Sequence, residues 1–295
     1  MIRASGEATM SNGPITIFDK SAIQMLNVDE AALFGQFYRV AITPLFFVET
    51  LADLEKDING GKTPEDVVGI IASKTANLTA DPSAHHTLLV LNDLHGGEIE
   101  MDGRPHVVGG RSVVRDGKRG IVFDKAPEAE ALHRWQRHEF LEIERGIAKQ
   151  WRENLRAHQI RKVDPARFFP QNRPRTFAEV KLYADAYIRR EGGQAFVSAL
   201  NLLSVPQADR GPVLSRWLDL GSPPISLFAP YAAYVATVTL FFELAVSLSM
   251  ISDQRPSNAV DIAYCFTCLS AWCSRRRTTC TRRPSHCSFE RTRSS

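Results

Sequence analysis

The sequence predicts an α/β fold on three observations. Ile15-Thr16-Ile17-Phe18 is a short apolar, β-branched run, and a helical pattern, Ala22, Ile23, Met25 and Leu26, follows it. Capped helix starts with apolar faces then recur along the chain. Between them lie short runs bounded by turn signals, which read as strands and hairpins. The first strand ends on a carboxylate, Asp19. Open α/β sheets bind ligands beyond the C-terminal ends of their strands, so Asp19 is the first candidate site residue. The alternative is that Asp19 only helps to cap the turn. Ser21 is placed to cap the helix that follows.

At 295 residues, 44% hydrophobic and 23% charged, the chain has room for one large or two ordinary domains with a sizeable core. The N-terminus lacks the apolar run of a signal peptide, which points to a cytoplasmic protein. Residues 1–14 read as disordered, and Met10 is an alternative start. The net charge of +3 belongs to the C-terminus. Residues 266–295 hold seven Arg and one acid, Glu290, which leaves the rest of the chain at −3. That balance gives no support to a basic nucleic-acid-binding face on the body as a whole. All five Cys, namely 265, 268, 273, 280 and 287, fall in the final thirty-one residues. Cys265-x-x-Cys268 has half of a zinc spacing, and no second half follows.

Taken in order, Asn27 and Glu30 form a capping box for a helix with Ala31, Leu33, Phe34, Phe37 and Tyr38 on its apolar face. Thr43-Pro44 starts a helix to about Ile58 that buries Leu45, Phe46, Val48, Leu51, Ala52 and Leu54. Glu49 and Asp53 lie one turn apart on it. Glu49 sits amid apolar neighbours, so it needs a metal, or a partner such as Lys20 or Lys56, or a path to solvent. Thr63-Pro64-Glu65 caps a third helix to about Asn77. Thr87–Leu91 reads as a strand. Glu98–Val108 and Arg111–Phe123 read as hairpins, turning at Asp102-Gly103 and Asp116-Gly117.

Pro127 opens one long helix to about His158, with Leu132, Trp135, Phe140, Ile143 and Ile147 as its stripe. His133, His138, Glu139, Glu142 and Glu144 lack a metal-ligand spacing and read as a solvated face. The basic run Lys162–Arg175 contains Phe168-Phe169. It reads as a surface linker turning at Pro165, Pro170 and Pro174, with RNA contact as the alternative. Thr176 and Glu179 box a helix to about Arg190, and 196–203 and 213–220 are shorter helices. Pro224–Ile251 is the most apolar stretch, with Glu243 its one charge. It reads as a buried core helix with Glu243 at the surface or paired, a membrane anchor being the alternative. Ser257 or Asn258 caps a last helix that carries Asp261.

Three segments, Ile17-Phe18-Asp19-Lys20-Ser21-Ala22, Phe47-Val48-Glu49-Thr50-Leu51 and Val260-Asp261-Ile262-Ala263, resemble in kind and order the PIN-like nuclease domain. The resemblance is closest to bacterial PIN-like proteins with a large helical insertion, and covers about 15–75 and 225–265. It implies a Rossmannoid parallel sheet whose strand ends gather carboxylates around Mg2+ or Mn2+ for phosphodiester hydrolysis. Asp19, Glu49 and Asp261 would then be catalytic metal ligands, with Ser21 and Asp53 in support. RNA would be the substrate, and an antitoxin-like protein a partner. The implied organisation is a PIN-like domain at 15–78 and 223–265, split by a mostly helical insertion at 79–222. Two other readings stay open: a PIN-like binding module without catalysis, and a single-span membrane-anchored protein.

The family pattern implies one more apolar strand after the Asp261 helix, ending in Ser/Thr-x-Asp or Ser-Asp. Residues 266–295 are instead rich in Cys, Arg, Ser and Thr, and read as a non-native, disordered tail. Their codons, read two bases later, can spell Leu-Pro-Phe-Cys-Met-Val-Phe from Thr267 onward, then small residues and Asp. The tail is therefore read as a frameshift that removes the last strand and a fourth carboxylate, and an active ribonuclease and one inactivated by that loss both stay open. Resequencing the gene decides it.

Overall fold

A computed structural model describes residues 15–75, 81–101, 105–106, 110–115, 118–123, 127–157, 162–169, 171–253 and 257–267. In chain order they form β1 (Ile15–Ile17), α1 (Lys20–Met25), α2 (Val28–Phe37), β2 (Arg39–Ile42), α3 (Pro44–Ile58), α4 (Pro64–Ser73), β3 (Asp81–Pro82) and α5 (His86–Leu94). The hairpin strands β4 (Gly110–Arg115) and β5 (Lys118–Phe123) follow, then α6 (Pro127–Gln136), α7 (Glu142–Ala157), α8 (Pro165–Phe168) and α9 (Phe177–Ile188). The chain continues through α10 (Gly193–Leu202), α11 (Gln207–Asp219), α12 (Ile225–Phe228), α13 (Pro230–Ser247) and α14 (Ser257–Thr267).

These elements correct the expected fold class. The described residues are mostly helical, and a Rossmannoid sheet is not formed among them. The parallel sheet is a remnant in the order β1-β2-β3, with Ile15 opposite Arg39 and Ala41 opposite Asp81. β1 has three residues and β3 two, too few to support a layer of helices on each face. Thr87–Leu91, read as a strand, lies in α5. Leu89, Val90, Asp93 and Leu94 are its buried positions, a helical spacing that a five-residue window cannot show. Arg39–Ile42 forms a strand that was hidden between two helix signals. The second hairpin forms, with Gly110 opposite Phe123. The turn of the first, Asp102-Gly103, lies outside the described residues, as do residues 1–14 and the tail beyond Thr267.

The chain divides into two units, residues 1–84 with 105–153, and residues 85–104 with 154–295. The core of the first comprises Ile23, Ile42, Phe46, Phe47, Leu51, Leu54, Val67, Val68, Ile71, Leu132 and Trp135. Each large side chain here contributes about 1.5–3 kcal/mol by leaving water. The predicted single helix from Pro127 is two. It breaks between Gln136 and Glu142, where His138 takes a left-handed φ of 56°. Glu144 holds the break. Its carboxylate accepts from Arg134 Nη2 at 2.5 Å, Trp135 Nε1 at 3.2 Å and Leu141 N at 3.0 Å. Glu144 is thus buried rather than part of a solvated face, whereas Ile143 and Ile147, expected inside, are exposed.

The second unit is built around α13, which packs against α5, α9, α10, α12 and α14. By length and composition α13 can cross a membrane, yet 61% of its span is buried. Tyr231, Leu240 and Leu244 are fully inside. Glu243, expected at the surface or paired, is buried rather than at the surface. Phe196 stacks on Trp217 at 4.5 Å and meets Phe228 edge-on at 5.3 Å. Tyr231 and Tyr234 donate their hydroxyls to Phe266 O and Cys265 O, at 3.1 and 2.7 Å. These bonds satisfy carbonyls in the last turn of α14 that have no partner within the helix.

Candidate functional site

The sequence places an acid at the end of β1 and two more on α3, and the fold brings them to one turn of chain. β1 ends before Phe18, and Asp19 is the N-cap of α1. Its extended backbone turns the carboxylate back, so that Oδ1 accepts from Ala22 N at 2.6 Å. The capping expected of Ser21 is therefore done by Asp19, and Ser21 is exposed. The helix begins at Lys20, not after Ser21, because Asp19 is the residue in extended conformation.

α3 starts where Thr43-Pro44 predicts, with Phe46 N donating to Thr43 Oγ1 at 3.4 Å. Its core face, with Phe46, Phe47, Leu51 and Leu54 buried, leaves Glu49 half-buried and Asp53 exposed. Glu49 Oε2 accepts from Lys20 N at 3.2 Å. Asp53 Oδ2 accepts from Lys20 Nζ at 3.2 Å. Lys20 is itself buried, at 4% exposure. A buried ammonium without a partner costs several kcal/mol, so the ion pair to Asp53 fixes the start of α1 against α3.

Asp19, Glu49 and Asp53 thus lie about the first turn of α1, linked through Lys20 and Ala22. Sequence reasoning treated Lys20 only as a local partner for Glu49. Its side chain binds Asp53 and its backbone binds Glu49, and the signal available was a lysine directly after a strand-ending carboxylate. Asp261 belongs to the second unit, half-buried on α14, where Cys265 Sγ contacts its backbone oxygen at 3.9 Å. Among the described residues no group of three or more His, Cys, Asp and Glu is gathered to hold a metal ion. His133, His138, Glu139 and Glu142 are exposed, as a solvated face requires.

A second polar cluster lies inside the second unit. Asp93, on α5, is 5% exposed, and its Oδ2 accepts from Ala232 N at 2.9 Å. It caps the N-terminus of α13, where Ala229 offers no side-chain cap. Burial raises the Asp93 pKa, against the lowering effect of the Ala232 and Tyr231 N–H groups. Burial also raises the Tyr231 hydroxyl well above its ordinary value. The His86 ring lies 4.8 Å from Phe266 and 4.3 Å from His85. Burial, with the neighbouring His85, pushes the His86 pKa down to about 3. These groups are tied into packing and capping. No family model matches this chain, and no curated protein or solved structure matches it either.

Proposed function

We propose that this protein is a divalent-metal-dependent phosphodiesterase acting on RNA, with Asp19 and Glu49 as its acidic residues. One observation carries the reading. Both carboxylates bond to backbone N–H groups of a single helical turn at the C-terminal end of a parallel strand. Such anchoring fixes where their oxygens point before any ligand arrives. Hard oxygen donors of this kind suit magnesium or manganese, which proteins bind through one or two carboxylates, with water and substrate phosphate completing the shell. A divalent cation held by Asp19 and Glu49 would supply charge to polarise a phosphodiester and to acidify water. Asp19 holds its orientation through Ala22 N, and Glu49 through Lys20 N. The Lys20–Asp53 ion pair ties α1 to α3, the two helices that carry these acids and their backbone partners.

The ion pair between Lys20 and Asp53 favours a second reading, in which an internal ammonium already balances the acids and the protein binds without cleaving. Incubation of the full chain with end-labelled single-stranded RNA separates the two. The nuclease reading expects cleavage with Mg2+ or Mn2+ that EDTA abolishes. Asp19→Asn and Glu49→Gln should each slow it at least about 100-fold, the range seen when one charge-stabilising group is lost. RNA left intact by a folded wild-type chain supports the binding module.

A further inference from the structure

The segment that reads as a linker in sequence is one half of an aromatic platform. α8 presents Phe168 and Phe169, and α9 brings Tyr183 and Tyr187, one turn apart, against them. Phe169 lies 4.4 Å from Tyr183, and Phe168 lies 5.7 Å from Tyr187 and 6.1 Å from Tyr183. The two tyrosines lie 6.2 Å apart with an interplanar angle of 27°. The Arg190 guanidinium stands 4.9 Å over the Tyr187 ring. All four rings are half-buried, so each keeps part of its surface in water.

The charge around them is specific. Residues 161–191 carry eight Lys and Arg against four acids, on a body whose net charge without the tail is −3. Arg167, Arg173, Arg175, Arg189 and Arg190 are exposed. Three of the acids are engaged within the fold. Asp164 accepts from Ala166 N at 3.0 Å, Glu179 from Arg175 N and Thr176 N at 2.6 and 3.0 Å, and Asp185 from Lys181 Nζ at 2.7 Å. Two of the eight cations are paired as well, Lys181 with Asp185 and Lys162 with Asp253, so the positive charge of this segment rests on its exposed arginines, of which Arg190 stands over a ring. A core contact could have used leucine; aromatic rings beside arginines fit a ligand that is anionic along its length and has flat apolar faces.

We infer that the α8–α9 face binds single-stranded nucleic acid, with bases stacking on the tyrosine and phenylalanine rings and arginines meeting the phosphates. This surface lies in the second unit and stands whether or not Asp19 and Glu49 cleave anything. The test is fluorescence anisotropy of the full chain with labelled 12-nucleotide U and dT strands, and with a 12-base-pair RNA duplex. EDTA is present throughout, so that cleavage cannot intervene. Tyr187→Leu should weaken strand binding about 5- to 150-fold. Arg189→Gln with Arg190→Gln, both exposed and tolerant of change, should flatten the salt dependence by roughly 0.7 in slope for each phosphate no longer neutralised. Binding of either strand with these losses supports the inference, and the RNA and DNA arms tell which sugar is preferred. Equal affinity for the duplex, equal affinity for a poly-glutamate peptide, or no effect from either variant in a folded protein overturns it.

Discussion

Glu144 accepts three hydrogen bonds across the break between α6 and α7, from a guanidinium, an indole and a backbone N–H. Nothing in its immediate neighbours distinguishes it from Glu142 or Glu139, which face solvent. Glu144→Ala leaves Arg134 and Trp135 with unpaired polar groups, and should cost about 3–5 kcal/mol in urea unfolding. Glu142→Ala should change stability by less than about 0.5 kcal/mol. Lys20 tells the same story at the candidate site. Asp53→Asn should cost roughly 1–2 kcal/mol, since the ammonium is buried but its partner is half in water. Asp19 and Glu49 were legible in sequence because an acid beside apolar residues demands a partner. Lys20 was legible as one possible partner of Glu49, but its side-chain pairing with Asp53 was not, because that contact comes from a residue 33 positions away.

Helix ends divide along the same line. The boxes at Asn27 and Glu30, Thr63 and Asp66, and Thr176 and Glu179 all form, and each could be found because donor and acceptor lie three residues apart. α13 begins at Pro230 without a local side-chain cap, and receives Asp93 from 139 residues earlier. No spacing rule finds such a cap. Asp93→Ala should cost about 2–3 kcal/mol, with Asp93→Asn milder because its amide oxygen can still accept. The failed strand assignment at Thr87–Leu91 belongs here as well. A short apolar run takes its conformation from what it packs on, and Leu89, Val90 and Leu94 bury a helical face. α2 shows the reverse error. Leu33 and Phe37, assigned to its apolar face, are exposed, while Phe34 stacks on Tyr38 at 4.3 Å.

For the whole molecule, acid stability follows from the buried histidines of the second unit. His86 titrates near 3 when folded and near 6.5 when unfolded, and His85 is lowered in the same direction by burial. The unfolded chain therefore binds more protons between those values. This stability is complete above about pH 6.5 and declines as pH falls toward 3, by up to about 1.4 kcal/mol per pH unit for one histidine. Asp93, raised by burial, works in the opposite sense, since the folded state holds its proton more firmly. Urea midpoints measured from pH 7 to pH 4 should fall with pH, and His86→Phe should flatten the decline. At the same scale, the apolar stretch at 224–251 reads as a core helix because its Tyr, Thr and Ser make it less apolar than a membrane span; within it α13 forms over Pro230–Ser247 with 61% of its span buried. The expected large sheet was not realised, because a strand, an acid and a helix in succession also describe the edge of a three-strand remnant. The claim that Asp19 and Glu49 hold a hard divalent cation is tested most directly by Mn2+ titration of the full chain, followed by electron paramagnetic resonance. A single tightly held ion in the wild type, lost in the Asp19→Asn, Glu49→Gln double variant while circular dichroism is unchanged, is the predicted result. A folded wild type that holds no ion, or a double variant that holds it equally well, contradicts the account.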